Sequence, residues 1–207
     1  VNGITIASSN VTLDLMGFTL TGPPILAFGA TYGHGIEING PLANIQIRNG
    51  IIRRFYGTGI YNESFSSKGC HIVNMTTAVN SLSGIEIPGY ANIIENCISH
   101  SNKSFGIWAG AGSKLTGNVC YDNVNPGIQT GYGCTISGNT CYDNDGSGIY
   151  AGVASSVVAN TCYGNSASGI SLSGNNYVGQ NTCYSNTMSN ISTCSNCTIP
   201  VDGNHAP

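Results

Sequence analysis

A short repeat runs through this chain of 207 residues and constrains its fold more than any other feature. The dipeptide Gly-Ile, replaced once by Asn-Ile, recurs at intervals of 24, 25, 22, 21, 21, 21 and 21 residues. Each interval holds three brief apolar segments separated by turn residues, which leaves no room for helical connections. We therefore expect stacked coils with three short strands each. The pairs begin at Gly35, Gly59, Gly84, Gly106, Gly127, Gly148, Gly169 and Asn190.

Columns of identical residues keep the same interval and indicate which positions stack. Because side chains alternate across a strand, the asparagines and cysteines of these columns should point inward and the tyrosines outward. Inward asparagines would form a hydrogen-bonded ladder that satisfies turn carbonyls. Inward cysteines would stay reduced, because stacking at ~4.8 Å keeps their Cβ atoms too far apart for disulfides. The columns are Asn74, Asn96, Asn118, Asn139, Asn160 and Asn181, and Cys120, Cys141, Cys162 and Cys183, each cysteine followed by Tyr.

The repeat predicts an all-β chain that forms a single right-handed, three-faced parallel β-helix of about eight coils with ~21 residues each. We expect one domain over residues 1–207, with irregular coils of 22–25 residues in 1–112 and regular coils of 21 residues in 113–193. Residues 194–207 would form a C-terminal cap or tail. In that segment Cys194 and Cys197, with His205 beyond them, could make a disulfide or half of a metal site.

The composition argues against several classes of function. Only 7% of the residues are charged, and six Lys and Arg against nine Asp and Glu provide no basic field for a nucleic acid. No apolar run approaches the ~20 residues of a membrane helix, so membrane insertion is not expected either. The chain also lacks a cluster of Asp ligands, and we predict no metal site and no cofactor, with Ca²⁺ relevant only if the protein is a lyase.

Three stretches resemble the right-handed parallel β-helix proteins of the pectin-lyase-like superfold: Ile4–Phe18, Asn44–Gly50 and Ser137–Thr140. The resemblance covers essentially the whole chain. It implies an exported protein, secreted or at the cell surface, that faces carbohydrate. This superfold contains polysaccharide lyases, hydrolases and epimerases beside tail-spike domains and adhesins, so the resemblance implies an architecture and leaves the activity open.

The position after each Gly-Ile pair points outward and varies more than any other. Acids, amides and aromatic rings in one line suit a long glycan groove, because rings stack on sugar faces and carboxylates or amides bind hydroxyls. An ordinary sheet face is the alternative explanation of the same column. The predicted glycan or partner contacts are Glu37, Tyr61, Glu86, Trp108, Gln129 and Tyr150, followed by Ser171.

A second outward stripe consists of Tyr121, Tyr142, Tyr163 and Tyr184. Rings stacked every ~4.8 Å would expose an apolar band that a partner could cover. That partner would be a glycan, another segment of the parent chain or another copy of the rod, which would give a homo-oligomer or filament. Packing of each ring on the next within one chain is the alternative.

If the protein is an enzyme, the candidate catalytic residues are His34, Glu37, Glu86 and Arg53. His34 stands in a Gly-His-Gly that resembles polygalacturonase-like hydrolases, but their Asn-Thr-Asp, Asp-Asp and Arg-Ile-Lys elements are missing. Glu37 and Glu86 would lie about 9–10 Å apart, near the upper limit for inverting hydrolysis. Arg53 would suit a uronate lyase or epimerase.

No complete set of acid, base and cation is present among these candidates. We therefore expect an extracellular structural or adhesive module, without catalytic activity, that binds glycans or copies of itself through its outward aromatic stripes. A polysaccharide lyase, epimerase or glycoside hydrolase is the alternative.

Overall fold

The computed structural model describes residues 1–23, 33–200 and 203–206. In these ranges the chain forms 22 short strands and no helix, so no helix there is long and apolar enough to cross a membrane. All strand pairs are parallel, and the chain winds into a right-handed solenoid with eight rungs, a rung being one full turn. The predicted three-faced parallel β-helix is therefore confirmed. Its division into irregular coils, regular coils and cap remains a prediction, and residues 24–32, 201, 202 and 207 lie outside the described residues.

The first face is a sheet of eight strands, one from each rung. Each strand holds three residues, of which the first and third point into the bore. The strands are β1 (Ile4–Ile6), β4 (Ile36–Ile38), β6 (Ile60–Asn62), β8 (Ile85–Ile87), β11 (Ile107–Ala109), β14 (Ile128–Thr130), β17 (Ile149–Ala151) and β20 (Ile170–Leu172).

The second and third faces belong to one sheet of 14 strands, because β5 (Gln46–Arg53) and β7 (His71–Ala78) run through the bend between them. The second face also has β2 (Thr12–Asp14), β9 (Ile93–Glu95), β12 (Lys114–Thr116), β15 (Thr135–Ser137), β18 (Ser156–Val158) and β21 (Tyr177–Gly179). The third face also has β3 (Thr19–Thr21), β10 (Ile98–His100), β13 (Val119–Tyr121), β16 (Thr140–Tyr142), β19 (Thr161–Tyr163) and β22 (Thr182–Tyr184).

The Gly-Ile repeat forms the inner wall of the first face. Ile128, Ile149 and Ile170 stack along the axis with no exposed surface, as the repeat predicts. The glycine before each isoleucine is required by close stacking: a Cβ on Gly148 would lie 2.7 Å from the carbonyl oxygen of Gly169 in the next rung. The repeat therefore records a packing constraint rather than a chemical function.

The asparagine ladder is confirmed in the later rungs and is shifted in the earlier ones. Asn118, Asn139 and Asn160 are buried, and each donates from Nδ2 to the Oδ1 of the next asparagine at 2.9 or 3.0 Å. Asn74 and Asn96, predicted in the same column, are exposed instead, with φ of 53° and 54°. They occupy the left-handed bend position that glycine takes in the next rungs, a conformation that asparagine tolerates well.

A second asparagine ladder, which the sequence analysis missed, lines the bend between the third and first faces. Each member donates from Nδ2 to the Oδ1 of the next at 2.9 to 3.1 Å. The two ladders satisfy buried amides and carbonyls in two of the three bends. The members of the second ladder are Asn80, Asn102, Asn123, Asn144, Asn165 and Asn186.

The cysteines follow the prediction for the bore. Cys120, Cys141, Cys162 and Cys183 stack on one another as free, fully buried thiols. Burial raises the pKa of the Cys97 thiol to about 12 and raises those of the Cys141 and Cys162 thiols well above their usual value, so these three thiols are protonated and unreactive at neutral pH.

The C-terminal segment returns to the last rung. Cys194 and Cys197 form a disulfide, which decides between the two alternatives that the sequence left open. Thr198 pairs with Tyr177 and His205 with Thr182 through single parallel bridges. Across the described ranges, no group of three or more His, Cys, Asp or Glu side chains is arranged to hold a metal ion.

Candidate functional site

The outward residues of the first face form one continuous column. Their position follows from the three-residue strands, because the first residue, always isoleucine, and the third residue both enter the bore and the residue between them faces solvent. Strand register thus brings together all the residues predicted for this face, while their role in binding stays a prediction. From the first rung to the last, the column reads Thr5, Glu37, Tyr61, Glu86, Trp108, Gln129, Tyr150 and Ser171.

An aromatic slot opens beside this column, where the chain turns from the first face to the second. Tyr90 and Tyr132 form its two walls, and Trp108 lies beside it in the rung between them. Backbone hydrogen bonds between the turns place the small Ala111 between the two tyrosines. The walls are therefore two rungs apart, ~9.6 Å. The slot has a volume of about 210 Å³ and is lined by Phe65, Pro88, Tyr90, Trp108, Gly110, Ala111, Gly131 and Tyr132.

The walls of the slot are open to solvent. Tyr132 is 63% exposed and Tyr90 is 47% exposed, although both carry large aromatic rings. The turns themselves approach closely: a Cβ on Gly110 would lie 1.9 Å from the carbonyl oxygen of Pro88. Rigid turns thus hold two exposed aromatic side chains on either side of the slot.

Sequence reasoning missed the slot, although a signal for it exists. The turns contain Gly89-Tyr90, Gly110-Ala111 and Gly131-Tyr132, spaced by 21 residues like the main repeat. Aromatic, small and aromatic residues therefore follow glycine in consecutive rungs. This signal lies in the turns, to which the alternation that identifies strands does not apply.

The early half of the outward column is acidic. Glu37 and Glu86 flank Tyr61 on either side, and Glu63 follows in the next turn. Burial raises the pKa of Tyr61, and the carboxylates of Glu86, Glu63 and Glu37 raise it further. Ser83 Oγ donates to Glu86 Oε2 at 2.8 Å. No ion pair within the described part of the chain neutralises these carboxylates, so this stretch carries a negative potential.

His34 is held against Tyr61 as a neutral ring. The two rings stack with centroids 4.1 Å apart and an interplanar angle of 9°. The Thr58 amide donates to His34 Nδ1 at 3.0 Å, so the neutral imidazole carries its proton on Nε2. Burial lowers the pKa of His34, an effect that Glu37 partly offsets. Because Nδ1 is already an acceptor, this histidine has no free basic nitrogen.

The structure does not bring the four candidate catalytic residues together. Glu37 and Glu86 are separated by the rung that carries Tyr61, at ~9.6 Å by the rung spacing. Arg53 lies on the third face, where its Nε donates to Thr21 Oγ1 at 3.4 Å. A bend of the solenoid thus separates Arg53 from the two carboxylates.

The tyrosine stripe on the third face is a stack of parallel rings. Neighbouring centroids from Tyr121 to Tyr184 are 4.9 to 5.1 Å apart, with interplanar angles of 3° to 6°. His100 continues the stack at 4.7 Å from Tyr121. The column of tyrosines in the sequence does not indicate this extension. Because each ring covers the face of the next, the stripe presents edges and hydroxyls to solvent. It therefore lacks the free ring faces on which sugars stack.

Comparison with known proteins adds a family and a set of structures with the same fold. The model of the family described as "Right handed beta helix region" matches residues 2–134 and 34–188. No curated protein matches the chain.

Three solved structures illustrate the shared fold. Pectate lyase Pel9A is 15% identical with a TM-score of 0.66, and the match covers 100% of this chain and 68% of the lyase. A mutant of the periplasmic alginate epimerase AlgG is 16% identical with a TM-score of 0.70, covering 97% of this chain and 61% of the epimerase. The A-module of the Azotobacter vinelandii mannuronan C-5 epimerase AlgE4 is 12% identical with a TM-score of 0.53, covering 100% and 84%. The chain thus spans about two thirds of the first two proteins.

Proposed function

The chain belongs to the right-handed β-helix family, and we propose that it is a carbohydrate-binding member that holds a neutral glycan along its first face. The aromatic slot between Tyr90 and Tyr132, with Trp108 beside it, carries this proposal. Solved structures with the same fold are named for enzymes that act on pectate and alginate, which supports carbohydrate as the ligand class.

The slot suits one sugar ring and the column beside it suits the rest of the chain. Exposed aromatic rings bind the C–H surfaces of sugars, and the rigid turns hold the rings of this slot in place. Glu86 and Gln129, the neighbours of Trp108 in the column, supply acceptors and a donor for sugar hydroxyls. The strands rise along the axis in steps of ~4.8 Å, so the column offers contacts at regular intervals to an extended glycan.

The charge of this face favours neutral glycans over polyuronates. Glu37, Glu63 and Glu86 would each repel a uronate carboxylate, by about 1 kcal/mol at ~4 Å in water. Lys68 lies one rung from Tyr90 and is outnumbered by these carboxylates. A polyuronate would therefore bind this column more weakly than a neutral glycan of the same length.

Binding measurements on defined glycans test this proposal. Titration calorimetry with a panel of neutral polysaccharides, polygalacturonate and alginate should identify a neutral ligand. Trp108→Ala should then weaken binding at least about tenfold, about 1.4 kcal/mol, and Tyr132→Ala should weaken it as well. Tyr177→Ala is the matched control, since Tyr177 is an exposed tyrosine on the second face. Unchanged affinity in Trp108→Ala, or no neutral ligand at all, would contradict the proposal.

We further propose that this member acts as a structural or adhesive module outside the cytoplasm. The separation of Arg53 from Glu37 and Glu86, and the occupied Nδ1 of His34, support a non-catalytic role. The disulfide between Cys194 and Cys197 is typical of oxidising compartments.

Catalysis on a polysaccharide remains the second candidate, because His34 and Glu37 do share the first face. Incubation with each glycan, followed by assays for reducing ends and unsaturated uronates, separates the two proposals. A module without activity gives no product, whereas an enzyme would give product that is lost in His34→Gln.

A further inference from the structure

The third face has one outward stripe, defined here as the third-face stripe, and charges of opposite sign lie beside its two halves. Arg53 in the second rung is followed at the bend by Arg54, and Asp143 and Asp145 follow Tyr142 in the sixth rung. From the first rung to the last, the stripe reads Thr21, Arg53, Ala78, His100, Tyr121, Tyr142, Tyr163 and Tyr184.

Within the described residues, none of these four charges belongs to an ion pair. Arg53, Arg54, Asp143 and Asp145 are all exposed. Arg48 pairs instead with Asp14, and His71 Nε2 lies 2.8 Å from Glu95 Oε1, both on the second face. Along the bend beside the stripe, the basic residues including Lys103 lie in the second to fourth rungs and the acidic residues including Asp122 lie in the fifth and sixth. This segregation by sign gives the surface an electrostatic polarity.

We propose that the third-face stripe is a self-complementary surface on which a second copy of this chain packs antiparallel, about a two-fold axis near His100. A two-fold axis at the fourth rung places the second rung of one copy opposite the sixth rung of the other. Arg53 and Arg54 then face Asp143 and Asp145 of the second copy, twice in the dimer.

Side-chain size supports the same arrangement. Opposite the rings of Tyr121, Tyr142 and Tyr163, the two-fold axis places Ala78, Arg53 and Thr21 of the other copy. Two of these side chains are small, and the guanidinium of Arg53 would meet the hydroxyl of Tyr142, an acceptor that the stacked rings present to solvent. The half of the stripe that carries tyrosines thus packs against a half with smaller side chains. An arrangement that placed tyrosines against tyrosines would lack this match in size.

The size of the surface predicts a weak dimer. A face three residues wide and seven rungs long measures on the order of 350 Å² by strand geometry, excluding the bends. Stable interfaces bury about 800 Å² per partner, so this dimer should form only at high protein concentration. Its charge pairs are exposed and should be screened by salt, since the Debye length shortens from ~30 Å at 0.01 M to ~3 Å at 1 M. We expect dimers at low ionic strength and monomers at high ionic strength.

Charge reversal with rescue tests the proposal. One variant carries Arg53→Glu and Arg54→Asp, and the other carries Asp143→Asn and Asp145→Lys. Asp and Asn are chosen for positions 54 and 143 because both residues there have left-handed φ, at 60° and 51°. Sedimentation velocity at low salt should show dimers for the unchanged protein, monomers for each variant alone and dimers again in the equimolar mixture. Lys68→Glu, a charge reversal between the first and second faces, should leave the dimer intact.

Three results would overturn the proposal. The first is a monomer at low salt and millimolar concentration, and the second is a dimer that neither charge variant weakens. The third is small-angle scattering that shows the long dimension doubled from roughly 40 Å, because that length would indicate end-to-end stacking of rods. Circular dichroism of each variant establishes that loss of the dimer does not come from unfolding.

Discussion

Replacing Asn139 with alanine removes one step of the first asparagine ladder and measures how much the buried amides stabilise the solenoid. Asn139 Oδ1 accepts from the Asn118 amide at 2.9 Å and from Asn118 Nδ2 at 3.0 Å. Its Nδ2 donates to the Leu115 carbonyl at 3.0 Å and to Asn160 Oδ1 at 2.9 Å. Alanine would leave the Asn118 backbone amide without this acceptor and the Leu115 carbonyl without this donor, both inside the bore.

The expected loss follows from these groups. A buried donor without a partner costs about 1–3 kcal/mol, and the lost bond to the carbonyl adds about 1 kcal/mol. We therefore expect Asn139→Ala to lower the free energy of unfolding by about 2–4 kcal/mol, a large share of the ~5–15 kcal/mol of a typical domain. Urea unfolding followed by far-ultraviolet circular dichroism measures this change.

The matched control is Asn74→Gly. Asn74 belongs to the same sequence column but is exposed, with a φ of 53° that glycine adopts readily. We expect this variant to change the free energy of unfolding by no more than about 0.5 kcal/mol. If Asn139→Ala destabilised the protein by less than about 1 kcal/mol, or no more than Asn74→Gly, the ladder would not have the stabilising role described here.

Three further predictions concern packing and titration. Gly148→Ala should lower the free energy of unfolding by about 1–3 kcal/mol or more, because its Cβ would meet a backbone carbonyl; equal stability in urea would contradict the packing argument. The buried thiols, with the pKa of Cys97 at about 12, should not react with a thiol reagent until the protein unfolds, when seven should react. Burial lowers the pKa of His34, so the free energy of unfolding should fall as the pH drops below 6.5, and His34→Gln should reduce that dependence. An unchanged pH profile would show that His34 is not protected in the folded state.

The sequence was sufficient for the architecture because the repeat is itself a consequence of stacking. A Gly-Ile column exists because only glycine fits under the next rung, and the residue after the inward isoleucine must face out. This reasoning placed the first-face column from Glu37 to Ser171 in the correct register. It failed at Asn74 and Asn96, because a sequence column of asparagines does not distinguish an inward amide from a left-handed bend position.

The candidate site was only partly predictable. Trp108 and its neighbours in the column follow from strand alternation, whereas the slot depends on how the turns at Tyr90 and Tyr132 stack. Those turns follow glycine at the same interval as the strands, yet nothing in their residue types alone shows that Ala111 leaves a gap between two rings. The stacked geometry of the tyrosine stripe likewise became clear only from ring orientation, which the sequence does not encode locally.

Fluorescence of Trp108 tests the proposed glycan site most directly, because it is the single tryptophan of the chain and lies beside the slot. Titration with neutral oligosaccharides of increasing length should change its emission saturably, with affinity that rises as the glycan reaches further along the column. In Tyr132→Ala the same titration should saturate at a higher concentration. Emission that does not respond to any neutral oligosaccharide would contradict the assignment of the first face as a carbohydrate-binding surface.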